Sequence, residues 1–134
     1  MNIVKKLFSK KNNQTHVFEI SMPKIQLAFE KMEKEAGWDT KDKLFWGYYF
    51  LDHNLQILEK FAEKLKKIGY QIVEIRNAGK DDLFLLHVEE HVVHSLESFV
   101  MHCHKLADLA NDNNIEIFDG WDAEKVNLNK GLVQ

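Results

Sequence analysis

The sequence predicts an α+β fold: a ferredoxin-like α/β sandwich whose βαββαβ run builds an antiparallel four-stranded sheet, with an extra N-terminal helix. Three observations carry this reading. From residue 43 onward, strand-like blocks and helical stripes follow one another in the order β-α-β-β-α-β. The first and third of these strands, Leu44–Leu51 and Leu83–Val88, are apolar on both faces, as central strands are. The second and fourth, Tyr70–Arg76 and Ile115–Phe118, mix polar with apolar residues, as edge strands tolerate.

Each element has its own signal. Ser21 followed by Pro23 marks a helix start, a capping hydroxyl with proline in the first turn. Ile25, Phe29, Met32 and Ala36 then recur at helical spacing, and Gly37 ends the run. The aromatic block LFWGYYFL is the first strand of the main run. Asn54 caps a helix whose stripe is Leu55, Leu58, Phe61, Leu65 and Ile68, closed by Gly69. Asn77–Asp81, with Gly79, is the hairpin turn between the second and third strands. Ser95 caps a long helix striped by Leu96, Phe99, Val100, Cys103, Leu106, Ala107 and Ala110. Asp119-Gly120 is expected to turn the chain after the last strand. Two helices cover one sheet face only. The helix near 23–36 is the nearest cover for the other face, burying Phe29 and Met32 against strands one and three, with a homodimer interface as its rival.

A chain of 134 residues with 45% hydrophobic and 29% charged residues suffices for one cored domain and excludes a largely disordered one. Residues 1–21 read as a basic N-terminal arm, 22–124 as the domain and 125–134 as a tail. Within the arm, Ile3, Val4, Leu7 and Phe8 are spaced for one face of a short amphipathic helix. The single cysteine forms no intramolecular disulfide and fits a reducing compartment. The sequence has no apolar run long enough to span a bilayer and no signal-peptide block in MNIVKKLFSKK. The expectation is a cytoplasmic protein with no membrane partner.

Charge is strongly segregated. Residues 1–80 hold 15 Lys/Arg against 10 Asp/Glu, whereas residues 81–124 hold one lysine, Lys105, against 11 acids. The total is −3, which argues against direct nucleic-acid binding, while the acidic half suits a basic protein segment, with a solvated acidic face that has no partner as the alternative. On this basis Glu97, Asp108, Asp112, Glu116, Asp119 and Asp122 are candidate partner-binding residues. The first three fall off the apolar stripe of the long helix, Glu116 sits at an edge strand, and the last two flank the expected turn. Gly-Trp-Asp occurs at 37–39 and at 120–122. Neighbouring antiparallel strands would bring both copies to one end of the sheet, adding Trp38, Asp39 and Trp121 as an aromatic hot spot with an acidic rim. Tryptophans that simply pack the sheet end are the plainer alternative.

Catalytic chemistry finds less support. His87-Val88-Glu89-Glu90-His91 matches H-x-x-E-H, but that motif binds metal from a helix. On a strand, alternation puts His87, Glu89 and His91 on one side and Glu90 on the other. No metal ligand, cofactor or catalytic residue is assigned, although His94 lies close enough in sequence to bring another nitrogen. Cys103 lies on an apolar stripe and reads as a buried structural thiol beside His102 and His104. Trp46, Tyr48, Tyr49 and Phe50 have no interleaved Arg or Lys and read as core rather than an RNA-binding sheet.

Taken in order, Gly37-Trp38-Asp39-Thr40, Trp46-Gly47-Tyr48-Tyr49-Phe50, Gly69-Tyr70, Leu86-His87-Val88-Glu89 with His94 beyond, and Phe118-Asp119-Gly120-Trp121-Asp122 resemble the regulator of ribonuclease E activity B (RraB-like) family across residues 37–122. The resemblance implies a ferredoxin-like α/β sandwich and a non-enzymatic inhibitor. Such a protein binds endoribonuclease E, a ribonuclease of the RNA-degrading assembly, and reduces its RNA cleavage. Two other readings differ in kind: a metal-dependent hydrolase using His87, Glu90 and His91, and a homo-oligomeric ferredoxin-like module binding a small ligand between sheets.

Overall fold

Strand pairing in the computed structural model, which describes residues 14–126, gives one five-stranded sheet in the order β1-β5-β2-β4-β3. The strands are β1 (His16–Val17), β2 (Leu44–Asp52), β3 (Gln71–Asn77), β4 (Phe84–Val92) and β5 (Ile117–Glu124). The helices are α1 (Met22–Lys34), α2 (Leu55–Lys67) and α3 (Leu96–Asp112). Mixed α+β architecture and the element order from residue 44 agree with the sequence reading, and β2 and β4 are central. The expected four strands become five because β1 pairs in parallel with the start of β5, His16 against Ile117 and Val17 against Phe118. The remaining pairings are antiparallel. The expected amphipathic segment at residues 3–8 and most of the C-terminal tail lie outside the described residues.

The caps form as their sequences dictate. Ser21 Oγ accepts from Lys24 N, Asn54 Oδ1 accepts from Gln56 N and Ile57 N, and Ser95 and Ser98 form a reciprocal capping box. The core lies between the helices and one sheet face. Trp46, Tyr48 and Phe50 of β2, Leu86 and Val88 of β4, and Phe118 of β5 are fully buried there with Leu58 and Leu106. At about 25 cal/mol per Å² of apolar surface removed from water, burial of this layer stabilises the domain. Trp46 also gives its indole N–H to Val92 O at 3.0 Å, so its one polar atom is satisfied.

Two features differ from the sequence reading. Asp119-Gly120 does not end the last strand. The register with β2 shifts between Tyr49 and Phe50, which leaves Asp119 as an extra residue in a bulge, and β5 continues to Glu124. The bulge resets alternation, so Trp121 and Ala123 join Phe118 on the helix-bearing face, where both pack against the core. That longer strand explains the second difference. Helix α1 does not cover the opposite face. It packs beside α3 over the Trp46–Trp121 end, where Phe29 is 5.7 Å from Trp46, 5.8 Å from Phe99 and 6.4 Å from Trp121 between ring centroids. Phe29 is buried against the first central strand as expected, on the face that already carries the other helices, while Met32 is only partly buried.

Candidate functional site

Helix α3 presents the acidic side chains. At 100° per residue, Glu97, Asp108 and Asp112 lie within about 60° of one another, and all three are exposed. Met101, 70% exposed, stands on the same stripe. Glu97 occupies the first turn, where the helix dipole favours an acid. Asp112 ends the helix, where the dipole disfavours one, and the last turn holds no basic residue to offset it.

The other candidates separate. Glu116 is a fastener: its Oε1 accepts from His53 N at 2.7 Å and lies 2.7 Å from His53 Nδ1, while Glu116 N donates to Asp52 Oδ2 at 2.9 Å. Burial pulls the Glu116 carboxyl upward, and its bonds with His53 outweigh that and hold it low. It is not at a bare edge, because Glu116 O accepts from His16 N at the entry to β1. Asp119 is exposed in the bulge. Trp38 and Trp121, both partly buried, line one groove of about 1080 Å³ along α1, together with Phe18, Ile25 and Met32. The two Gly-Trp-Asp copies therefore bring their tryptophans together but not their aspartates. Asp39 is exposed and accepts from Lys41 N, and the Asp122 side chain points to the opposite sheet face.

On that opposite face Asp122 Oδ2 accepts from Tyr49 Oη at 2.7 Å. The Tyr49 ring stacks on His87 at 4.3 Å, and Phe45 stacks on His91 at 4.0 Å. Burial, then the bond to Asp122, pushes the Tyr49 hydroxyl pKa up. Glu124 is raised by burial and by the negative charges of Asp122 and Glu89. None of the described helices packs on this face.

Glu90 points the other way, into the helix-bearing side, so alternation along β4 splits His87 and His91 from Glu90 and the H-x-x-E-H trio cannot ligate one ion. A different cluster forms instead. Glu90 Oε2 accepts from Tyr48 Oη at 2.7 Å and lies 2.9 Å from His102 Nε2 and 3.3 Å from His94 Nε2. Tyr70 Oη is 2.6 Å from His102 Nε2, and His94 Nδ1 is 3.0 Å from Ser98 Oγ. Burial alone would raise the Glu90 carboxyl, but His102, His94 and Tyr48 overcome it and hold the group at about 2. Burial and the Glu90 charge push the Tyr48 and Tyr70 hydroxyls up and the Cys103 thiol up to about 12. In the sequence His102 stands out only as a neighbour of Cys103. The available signal was its position three residues after Phe99, at the border of the apolar stripe and turned towards the sheet.

Among the described residues no helix is long and apolar enough to cross a membrane. No curated protein matches the chain. Residues 26–123 match the model of the family described as RraB, regulator of ribonuclease activity B. That match spans nearly three-quarters of the sequence and covers the βαββαβ run up to the last residue but one of β5, so the chain belongs to the RraB family.

Proposed function

We propose that this chain is a non-catalytic, protein-binding regulator of a ribonuclease of the endoribonuclease E type, and that its acidic surface docks on a basic segment of that enzyme. The observation that carries the reading is the state of the exposed acids. Among the described residues, Glu97, Asp108, Asp112 and Asp119 take part in none of the ion pairs, although the chain has 18 Lys and Arg to offer. Glu97, Asp108 and Asp112, on one helix face and without ion-pair partners among the described residues, attract an oppositely charged segment and speed its encounter. A regulator that covers an arginine-rich RNA-binding segment takes from the RNA phosphates the charges that would neutralise them. Trp121 and Trp38, which line the groove beside α1, supply an aromatic anchor of the kind that dominates interface energetics. Cytoplasmic action and a ferredoxin-like ancestry for the βαββαβ core belong to the same reading.

The test is RNA cleavage by ribonuclease E from the same cells, titrated with the chain, together with stopped-flow association at low and high salt. Wild type lowers cleavage and associates faster at low salt. Reversing Glu97, Asp108 and Asp112 to lysine slows association and flattens the salt dependence. Equal on-rates at low salt for wild type and the triple variant would remove the electrostatic docking step.

A further inference from the structure

We propose that Glu90, His94 and His102 form a site for one divalent transition-metal cation of the zinc type, bridging β4 and α3. The ligand atoms, one carboxylate oxygen and two imidazole nitrogens, lie within 4.8 Å of one another. Ligands held 2.0–2.1 Å from a tetrahedral ion stand about 3.3 Å apart, and His94 Nε2 and His102 Nε2 are 3.3 and 2.9 Å from Glu90 Oε2. This preformed spacing needs only small side-chain rotations to admit an ion.

The hydrogen-bond network around His94 is compatible with ligation. Ser98 Oγ accepts from Ser95 N, and its single proton has Ser95 O within reach at 3.2 Å. When that proton is on Ser95 O, the hydrogen between Ser98 Oγ and His94 is on Nδ1. A neutral His94 ring in that tautomer turns the Nε2 lone pair towards a carboxylate that is itself an acceptor. Two acceptors facing each other need either a proton or a cation between them. In that tautomer the capping box acts as the outer partner that fixes a metal-binding histidine. Tyr70 Oη is 2.6 Å from His102 Nε2, a hydrogen bond that an ion would displace. Two imidazoles with one carboxylate select zinc-like ions over magnesium or calcium, which prefer all-oxygen sites. The side chains of His94, Glu90 and His102 are 9%, 14% and 19% exposed, enough for an ion to enter past His102. A bound ion would stiffen the seat of the helix that carries Glu97, Asp108 and Asp112. The proposal stands apart from ribonuclease regulation and replaces the metal-free expectation drawn from H-x-x-E-H.

The experiment uses the full chain, stripped with chelator and titrated separately with Zn²⁺ and Co²⁺ by calorimetry and visible absorption. One equivalent should bind, with the ligand-field absorption of a low-coordinate Co²⁺. His102→Gln should weaken affinity about 100-fold or more, beyond the roughly 10–100-fold typical of losing an outer partner. His91→Gln and His104→Gln should leave it unchanged. Failure to bind one equivalent, equal affinity in folded His102→Gln, or loss in His91→Gln would overturn the site. Should His102→Gln fail to fold, nitrogen NMR of the wild-type histidines decides: zinc must shift His94 and His102, and shifts confined to other histidines reject the proposal.

Discussion

Asp122 stands over Gly47, so that a methyl group added to Gly47 would meet Asp122 Oδ1 at 2.5 Å and His87 Nε2 at 2.8 Å. The neighbours have little room to withdraw. Asp122 is tied to Tyr49 by its other oxygen, and His87 is stacked on the Tyr49 ring. Gly47→Ala is expected to cost about 1–3 kcal/mol, the usual range for overpacking. Urea denaturation measures it. Repeating the substitution in Tyr49→Phe, where Asp122 is released, should reduce the cost, and an identical cost in both backgrounds would reject the coupling.

Phe29 should be the residue through which α1 is held. It is buried among Trp46, Phe99 and Trp121, and its truncation leaves a cavity there. Phe29→Ala is expected to cost about 3–5 kcal/mol and to raise binding of a hydrophobic dye. Leu27→Ala, on the exposed side of the same helix, should do neither. Comparable losses for the two would mean that α1 is not seated as described.

Glu90 should shape the acid limb of stability in the metal-free protein. Its carboxyl is held at about 2 in the fold, against an ordinary value of 4.5. A depressed value means that the unfolded chain binds the proton more readily. The stabilisation is therefore complete above the unfolded value and is lost as pH falls through the folded one. At about 1.4 kcal/mol per pKa unit, the contribution is on the order of 3 kcal/mol. Urea midpoints in chelator, followed from neutral pH downward, should fall more steeply for wild type than for Glu90→Gln. Parallel curves would show that the carboxylate is not held by its histidine and tyrosine contacts.

Cys103 should be unreactive while the protein is folded. It is fully buried, and its thiol is pushed up to about 12, so almost no thiolate is present at neutral pH. A thiol reagent should label it only in denaturant, and fast labelling of folded protein would contradict this environment.

Much of the scaffold was legible because its signals are local. Ser21, Asn54 and Ser95 cap through side chains within three residues of the amides they satisfy. Strand alternation alone separated Glu90 from His87 and His91. What was missed depends on partners far away in sequence. Asp119-Gly120 has the composition of a turn, and only pairing with β2 absorbs it as a bulge. The side chosen by α1 follows from Trp121 lying beyond that bulge. The Glu90–His94–His102 cluster joins β4 to a helix position that periodicity assigns to an apolar border. His16–Val17 is too short to carry any alternation pattern.

That shortest strand also bears on how the molecule opens and closes. Thr15 Oγ1 donates to Ile115 O, Thr15 N to Asn111 Oδ1, and His16 N to Glu116 O, contacts that span about a hundred residues. Closing so long a loop is entropically costly, and two strand residues return little until β5 is already in place. The clasp should form last in folding and release first in the native state. Hydrogen exchange should find the His16 and Phe18 amides opening at a fraction of the free energy needed to expose Tyr48, so the N-terminal side can peel from β5 while the aromatic core stays closed.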